Sequence, residues 1–262
     1  MATLTNAPLV EVIFELLWGQ QQTEREGELE YRFSDGEKSF FFGDFKRAAK
    51  ESGFGHYERA NPRLPVSADI PHTVLHRFRK GPETWPCYQI GLGIFTTNQT
   101  NDGYAWDGFK SSVLGGLSLL NEAHPEGLES LNLVGLELKY QDAFYLDDET
   151  SELEFFQHFS ALKFEVPKSF LALENLDESV SVPVITFAVN VADPDGRLIV
   201  SIKRGAVNGK PAYLMETILR SMFDSRRQMG ESEIEAWLQK AHGLQQHAFE
   251  TLITSEFAET FS

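Results

Sequence analysis

The stretch LVEVIFELLW at residues 9–18 sets two carboxylates, Glu11 and Glu15, inside an otherwise apolar run. Two carboxylates can share acid–base work if the backbone holds them close together. A helix would stack this pair within about 6 Å, whereas a strand would place it on one face about 13 Å apart. Paired glycosidase carboxylates lie about 5 to 9.5 Å apart, so the strand geometry does not suit that work. Pro8 before the run, β-branched residues within it and Gly19 after it favour the strand. Val10, Val12, Phe14, Leu16 and Trp18 then make one apolar face, with Leu9, Glu11, Ile13, Glu15 and Leu17 on the other. On this reading Glu11 and Glu15 are carboxylates of a partly solvated face, or else they meet a cation or basic partner in a cleft.

The other chemistry-bearing residues give weaker patterns. His72 and His76 in PHTVLHRF would suit a metal on a helix, but on a strand they sit about 13 Å apart. His242 and His247 are five residues apart on a helix and point in different directions. Gly91 and Gly93 form a bare GxG without a third glycine, which speaks for close packing rather than dinucleotide binding. The acids Asp147, Asp148, Glu149, Glu152 and Glu154 gather at a helix start, where carboxylates favour the dipole. Asp193 and Asp195 in DPDG are turn residues, and NQT at 98–100 matches a glycosylation sequon with no meaning inside a cell. Cys87, the single cysteine, lies in an apolar run as a buried, inert thiol and excludes an internal disulfide. No metal and no cofactor is expected.

The 262-residue chain carries a net charge of −16 from 39 acidic and 23 basic side chains. Nucleic-acid affinity comes largely from Lys and Arg neutralising phosphates, so this balance disfavours a direct nucleic-acid partner. It suits solubility or a basic protein partner. No run approaches the roughly 18 apolar residues of a membrane span, and MATLTNAPLVEV lacks the basic start of a signal peptide. A cytoplasmic chain with no membrane contact is expected. The 21 phenylalanines can fill a large core or line an apolar cavity.

Periodicity orders the elements that must position these residues. ELEYRF (28–33) reads as a strand and SFFFGDFKRAAKESGF (39–54) as a helix with Phe41, Phe45, Ala48 and Ala49 on one face. TVLHRFRK (73–80) and CYQIGLGIFTTN (87–98) read as paired strands across GPETWP, followed by a helix over 104–124 despite Gly115 and Gly116. LNLVGLELKYQDAFYL (131–146) is a long strand, and Ser151 with Glu154 has capping-box spacing before ELEFFQHFSAL. SVPVITFAVNVA (181–192), RLIVSIKRG (197–205) and AYLMETILR (212–220) are strands joined by the turns DPDG and VNGK. Ser232 and Glu235 have the spacing to cap a long final helix whose apolar stripe runs from Ile234 to Phe257. Strand, helix, antiparallel strands and long helix thus occur twice. This predicts an α+β fold of two halves, 1–126 and 127–262, forming one compact unit with a curved antiparallel sheet packed by helices.

NAPLVEVIFELLW (6–18), QIGLGIFTTNQTNDGYAWDGF (89–109) and WLQKAHGLQQHAFETLITSEF (237–257) together resemble a sporadically distributed family of uncharacterised bacterial proteins of similar length. The resemblance covers nearly the whole chain, with the first motif the most specific. Its scattered distribution is similar to that of defence and toxin–antitoxin genes, and it carries over no catalytic residue. Many relatives have a Tyr-x-Asn-Arg run on the central strand; here LKYQDAF (138–144) keeps Tyr140 but has Asp142 and Ala143 in place of the pair.

These readings favour a non-enzymatic interaction factor, of the antitoxin, immunity or defence-accessory kind, holding a partner protein through an acidic surface or an exposed sheet edge. The alternative is a small-molecule binder or enzyme with an apolar cavity between sheet and helices. Contact with a partner or ligand is expected at Glu11, Glu15, Trp106, Tyr140 and Asp142, and a homo-oligomer is compatible with the pattern.

Overall fold

The computed structural model describes residues 8–25, 28–65, 70–146, 151–163, 169 and 183–261. Asp147, Asp148 and Glu149 of the acidic cluster lie outside them. The strands are β1 (Leu9–Trp18), β2 (Gln20–Arg25), β3 (Glu28–Arg32), β4 (His56–Arg59), β5 (His76–Arg79), β6 (Cys87–Gly91), β7 (Ile94–Thr100), β8 (Leu133–Tyr145), β9 (Ile185–Ala192), β10 (Asp195–Val207) and β11 (Lys210–Arg227). The α-helices are α1 (Phe42–Glu51), α2 (Trp106–Ala123), α3 (Glu152–Phe159), α4 (Glu231–Leu252) and the short α5 (Ser255–Ala258). No described helix is long and apolar enough to cross a membrane.

Nine strands form one curved, open antiparallel sheet in the order β4-β5-β6-β7-β1-β8-β11-β10-β9, with β2 and β3 pairing separately. β1 and β8 lie side by side at the centre, and each has the last strand of its own half on its other flank. Strand order therefore runs outward in the same way on both sides of the β1–β8 pair.

Alternation along the strands decides the faces. Phe14 and Leu16 on β1, Leu136 and Leu138 on β8 and Phe95 on β7 join one core. The helices enter that core through Phe45 of α1, Val113 and Leu117 of α2, and Ile234, Trp237 and Leu238 of α4. Farther along the same face, Phe144, Tyr213, Met215 and Ile202 pack against Phe155, Phe156 and Phe159 of α3. The abundant phenylalanine rings thus fill the space between sheet and helices.

The structure departs from the periodicity reading at several points. CYQIGLGIFTTN is two strands, because the chain reverses at Leu92 and Gly93, where Gly93 has φ +75°. A Cβ on Gly91 would lie 1.8 Å from the Thr73 carbonyl oxygen, so close backbone approach explains this GxG. QQQTER (20–25), not anticipated as a strand, pairs with β3. The register shifts between Leu9 and Glu11, which leaves Val10 half-buried while Leu9 and Val12 are buried. α4 begins before Ser232: Glu233 accepts from the Gly230 amide at 3.0 Å, forming the reach-back half of a capping box two residues early. Its stripe also breaks at Ile253, after which Thr254 caps α5. By contrast, Ser151 and Glu154 form a full capping box on α3, and Asn208 and Gly209 both take positive φ in the hairpin between β10 and β11.

The adjacent glycines of α2 separate two effects. A Cβ on Gly116 would meet Phe95 Cζ at 2.5 Å and Tyr88 Cε1 at 2.8 Å, whereas one on Gly115 meets only the Tyr88 hydroxyl at 3.4 Å. Gly116→Ala is expected to destabilise the fold by about 1–3 kcal/mol through overpacking. Gly115→Ala should stabilise it by up to about 1 kcal/mol through helix propensity. Urea denaturation of both variants checks the opposite signs.

Candidate functional site

The second face of the sheet is where Glu11 and Glu15 lie. The register places Glu11 beside Thr100 of β7 and Gln141 of β8, Ile13 beside Asn98 and Lys139, and Glu15 beside Thr96 and Glu137. Farther out, Gln141 faces Glu216 and Glu137 faces Arg220 on β11. Among the described residues, none of the half-buried apolar groups on this face, such as Ile13, Leu17, Ile199 and Ile218, joins either helix-packed core. Among the described residues, the helices that build the two cores lie on the other side of the sheet.

A ladder of polar side chains crosses that face at right angles to the strands. Glu58 Oε2 of β4 lies 3.5 Å from Arg77 Nη1 of β5. Arg77 Nε donates to Gln89 Oε1 at 3.0 Å, and Gln89 Nε2 donates to Asn98 Oδ1 at 2.7 Å. Thr96 also donates to Asn98 Oδ1 at 2.7 Å, and Asn98 Nδ2 donates to Glu11 Oε1 at 2.9 Å. Beyond Glu11, Gln141 Nε2 donates to Glu216 Oε1 at 3.2 Å, which is 3.5 Å from Lys203 Nζ on β10. Gln89, Thr96 and Asn98 are buried and mutually bonded, so the middle of the ladder is rigid. NQT at 98–100 is thus the end of β7, with Asn98 committed to the ladder.

Glu11 and Glu15 do not cooperate; the close carboxylate pair is Glu15 and Glu137, directly opposite each other on β1 and β8. Burial pushes Glu15 up to about 7, and Glu137 pushes the same way, while Arg220 and Lys139 oppose. Arg220 Nε donates to Glu137. Nor do Glu11 and Glu15 form an acidic surface. Glu11, Glu15, Glu58, Glu137 and Glu216 share the face with Arg77, Arg79, Lys139, Lys203 and Arg220, so it is charge-balanced on a chain of net charge −16.

Trp106, Tyr140 and Asp142 lie on the opposite, helix-packed face. The Tyr104 and Tyr140 hydroxyls are 2.8 Å apart, and Tyr140 Oη is 2.9 Å from His242 Nδ1. His242 stacks on Trp106 at 3.7 Å, and Trp106 Nε1 is 3.3 Å from Gln239 Oε1. Burial lowers His242 to about 4, so the ring bonds Tyr140 as a neutral imidazole. Asp142 is buried beside this chain, and desolvation raises it to about 7. Nearby, Gln245 Nε2 ties the Leu138 and Thr217 carbonyls of β8 and β11 together at 2.6 and 2.8 Å. The cluster clamps α2 and α4 onto the central strands. Neither Tyr104 nor His242 has a sequence signal beyond its residue type, because they meet Tyr140 only through helix docking.

A separate concavity of about 270 Å³ is lined by Trp18, Arg32, Phe33, Glu37, His124 and neighbours. Burial opposes ionisation of Glu37, but His124, the Ser34 amide and Trp18 Nε1 outweigh it and hold the carboxyl down at about 2. His124 Nδ1 accepts from the Glu126 amide at 3.2 Å, which leaves its Nε2 proton for Glu37, 3.1 Å away. The contact sets His124, the C-cap residue of α2, beside Glu37. His72 and His76 turn to separate partners, the Trp18 carbonyl and the Tyr57 hydroxyl. Among the described residues no group of three or more His, Cys, Asp or Glu is placed to hold a metal ion. No protein-family model, curated protein or solved structure matches the chain.

A raised folded-state carboxyl stabilises the protein below the unfolded value near 4.5, and that stabilisation is lost as pH rises through about 7. Glu15→Gln is therefore expected to melt higher than the wild type at pH 8, by an equivalent of about 1–2 kcal/mol after solvent screening. The gap should narrow by pH 5; thermal melts across that range that keep a constant gap would refute the assignment.

Proposed function

We propose that the protein is a non-enzymatic interaction factor that holds a partner protein against the ladder-bearing face of its nine-stranded sheet. The observation that supports this most is the face itself. An antiparallel sheet commonly leaves one side to water. Here that side carries half-buried carboxylates and cations bonded to one another and to buried amides across the ladder. Charged groups held in place before contact lose little side-chain entropy on binding and reject partners of the wrong charge pattern. The partner that complements this face is of mixed charge, meeting Lys139 and Lys203 as well as Glu11 and Glu216. The resemblance to a scattered bacterial family favours an antitoxin, immunity or defence-accessory role in the cytoplasm.

Affinity purification from the native host at low salt tests the reading. The wild type is expected to retain a partner, and Lys139→Glu/Lys203→Glu to bind it about tenfold or more weakly. Lys50→Glu, exposed on α1 at the helix side, should keep it. A chain recovered alone, or equal retention by the ladder variant, would overturn the proposal.

A further inference from the structure

We propose that the outer edge of β9 is a self-association surface on which a second copy of this chain pairs antiparallel, across a two-fold axis at Ala188. The two edges of the sheet are built differently. β4 is four residues long and carries His56, Glu58 and Arg59, the charged, short form that discourages edge pairing. β9 is eight residues long, reads ITFAVNVA and carries no charge. Among the described residues no strand pairs with its outer side. Val189 is 52% exposed and Val184, just before the strand, 68%.

Two observations favour a second copy over another occupant. The first is charge. Copies of a chain with net charge −16 repel one another, so a contact surface free of acids adds least to that repulsion, and residues 183–192, PVITFAVNVA, form such a stretch. The second is self-complementarity. Ile185, Phe187, Val189 and Val191 lie on the helix-packed side of β9, opposite Ile202, Val200, Leu198 and Gly196 of β10. Thr186, Ala188 and Asn190 lie on the ladder-bearing side. A two-fold axis at Ala188 sets Ile185 against the partner's Val191 and Phe187 against its Val189, apolar on apolar. It sets Thr186 against the partner's Asn190 and Ala188 against its counterpart, small and polar groups together. An axis normal to the sheet keeps helix side with helix side, so the half-exposed apolar row is covered in both copies. The contact is isologous and consumes the edge, so association stops at two.

Sedimentation at about 100 μM is expected to show a dimer for the wild type. Ala188→Lys/Val189→Lys, which charges two exposed edge positions, should be a monomer that still melts in one cooperative transition. Ala188→Cys should form a covalent dimer under mild oxidation, since opposite residues of antiparallel strands lie about 4.5–5.5 Å apart at Cα. The wild type should not, because Cys87 is fully buried. A wild-type monomer, an open-ended series of oligomers, or a folded lysine variant that stays dimeric would each overturn the proposal. Should the lysine variant lose its melting transition, the cysteine variant decides, and absence of its covalent dimer overturns it.

Discussion

The pairing of β1 with β8 is the contact on which the rest of the structure depends. These strands come from opposite halves of the chain, and their register sets Phe14 beside Leu138 and Leu16 beside Leu136. Every other sheet contact within a half is reached outward from one of them. Because side chains alternate with a period of two, one register also sends Glu11, Glu15, Glu137 and Lys139 to the other side together. A slip by a single residue would drive those charges into the phenylalanine-rich core. The same constraint therefore builds the core and the polar face.

Helices can cover only what their apolar stripes allow. α1, α2 and α4 lie against the central and N-terminal strands, and α3 lies against the far ends of β8, β10 and β11. Between the two cores sits a polar seam of Tyr140, His242, Asp142 and Gln245, tied together by the helix-to-strand bonds of His242 and Gln245. Burying such groups costs stability unless they are paired, and their pairing fixes how α2 and α4 dock. Among the described residues the helices lie on one side, and on the other the buried Gln89, Thr96 and Asn98 satisfy one another within the ladder from Glu58 to Glu11.

The charge distribution follows from the same division. The chain is strongly acidic, yet the ladder-bearing face balances its carboxylates with arginines and lysines. Like charges placed directly opposite, as Glu15 and Glu137 are, destabilise a sheet unless one is neutralised or neighbouring cations offset them. Both devices are present: burial keeps a proton on Glu15 near neutrality, and Arg220 holds Glu137. The carboxylates that gave the first motif its chemical interest therefore belong to a balanced surface.

The α+β class, the strand nature of residues 9–18, the apolar side of β1 from Val12 to Trp18, the capping box at Ser151 and the hairpin at Asn208–Gly209 were all legible in the sequence. Each depends on local physics: period-two alternation, side-chain caps and left-handed turn residues. The split of CYQIGLGIFTTN into two strands was not legible, since an apolar run continues unchanged through Leu92 and only the contacts of Gly91 and Gly93 show the reversal. Likewise, residue spacing could separate Glu11 from Glu15, but it could not bring Glu137 to Glu15 or His242 to Tyr140. Those partners are 122 and 102 residues away in the chain, and they meet because strand register and helix docking are long-range outcomes. Sequence determines which residues can share a face; only the tertiary structure decides which faces meet.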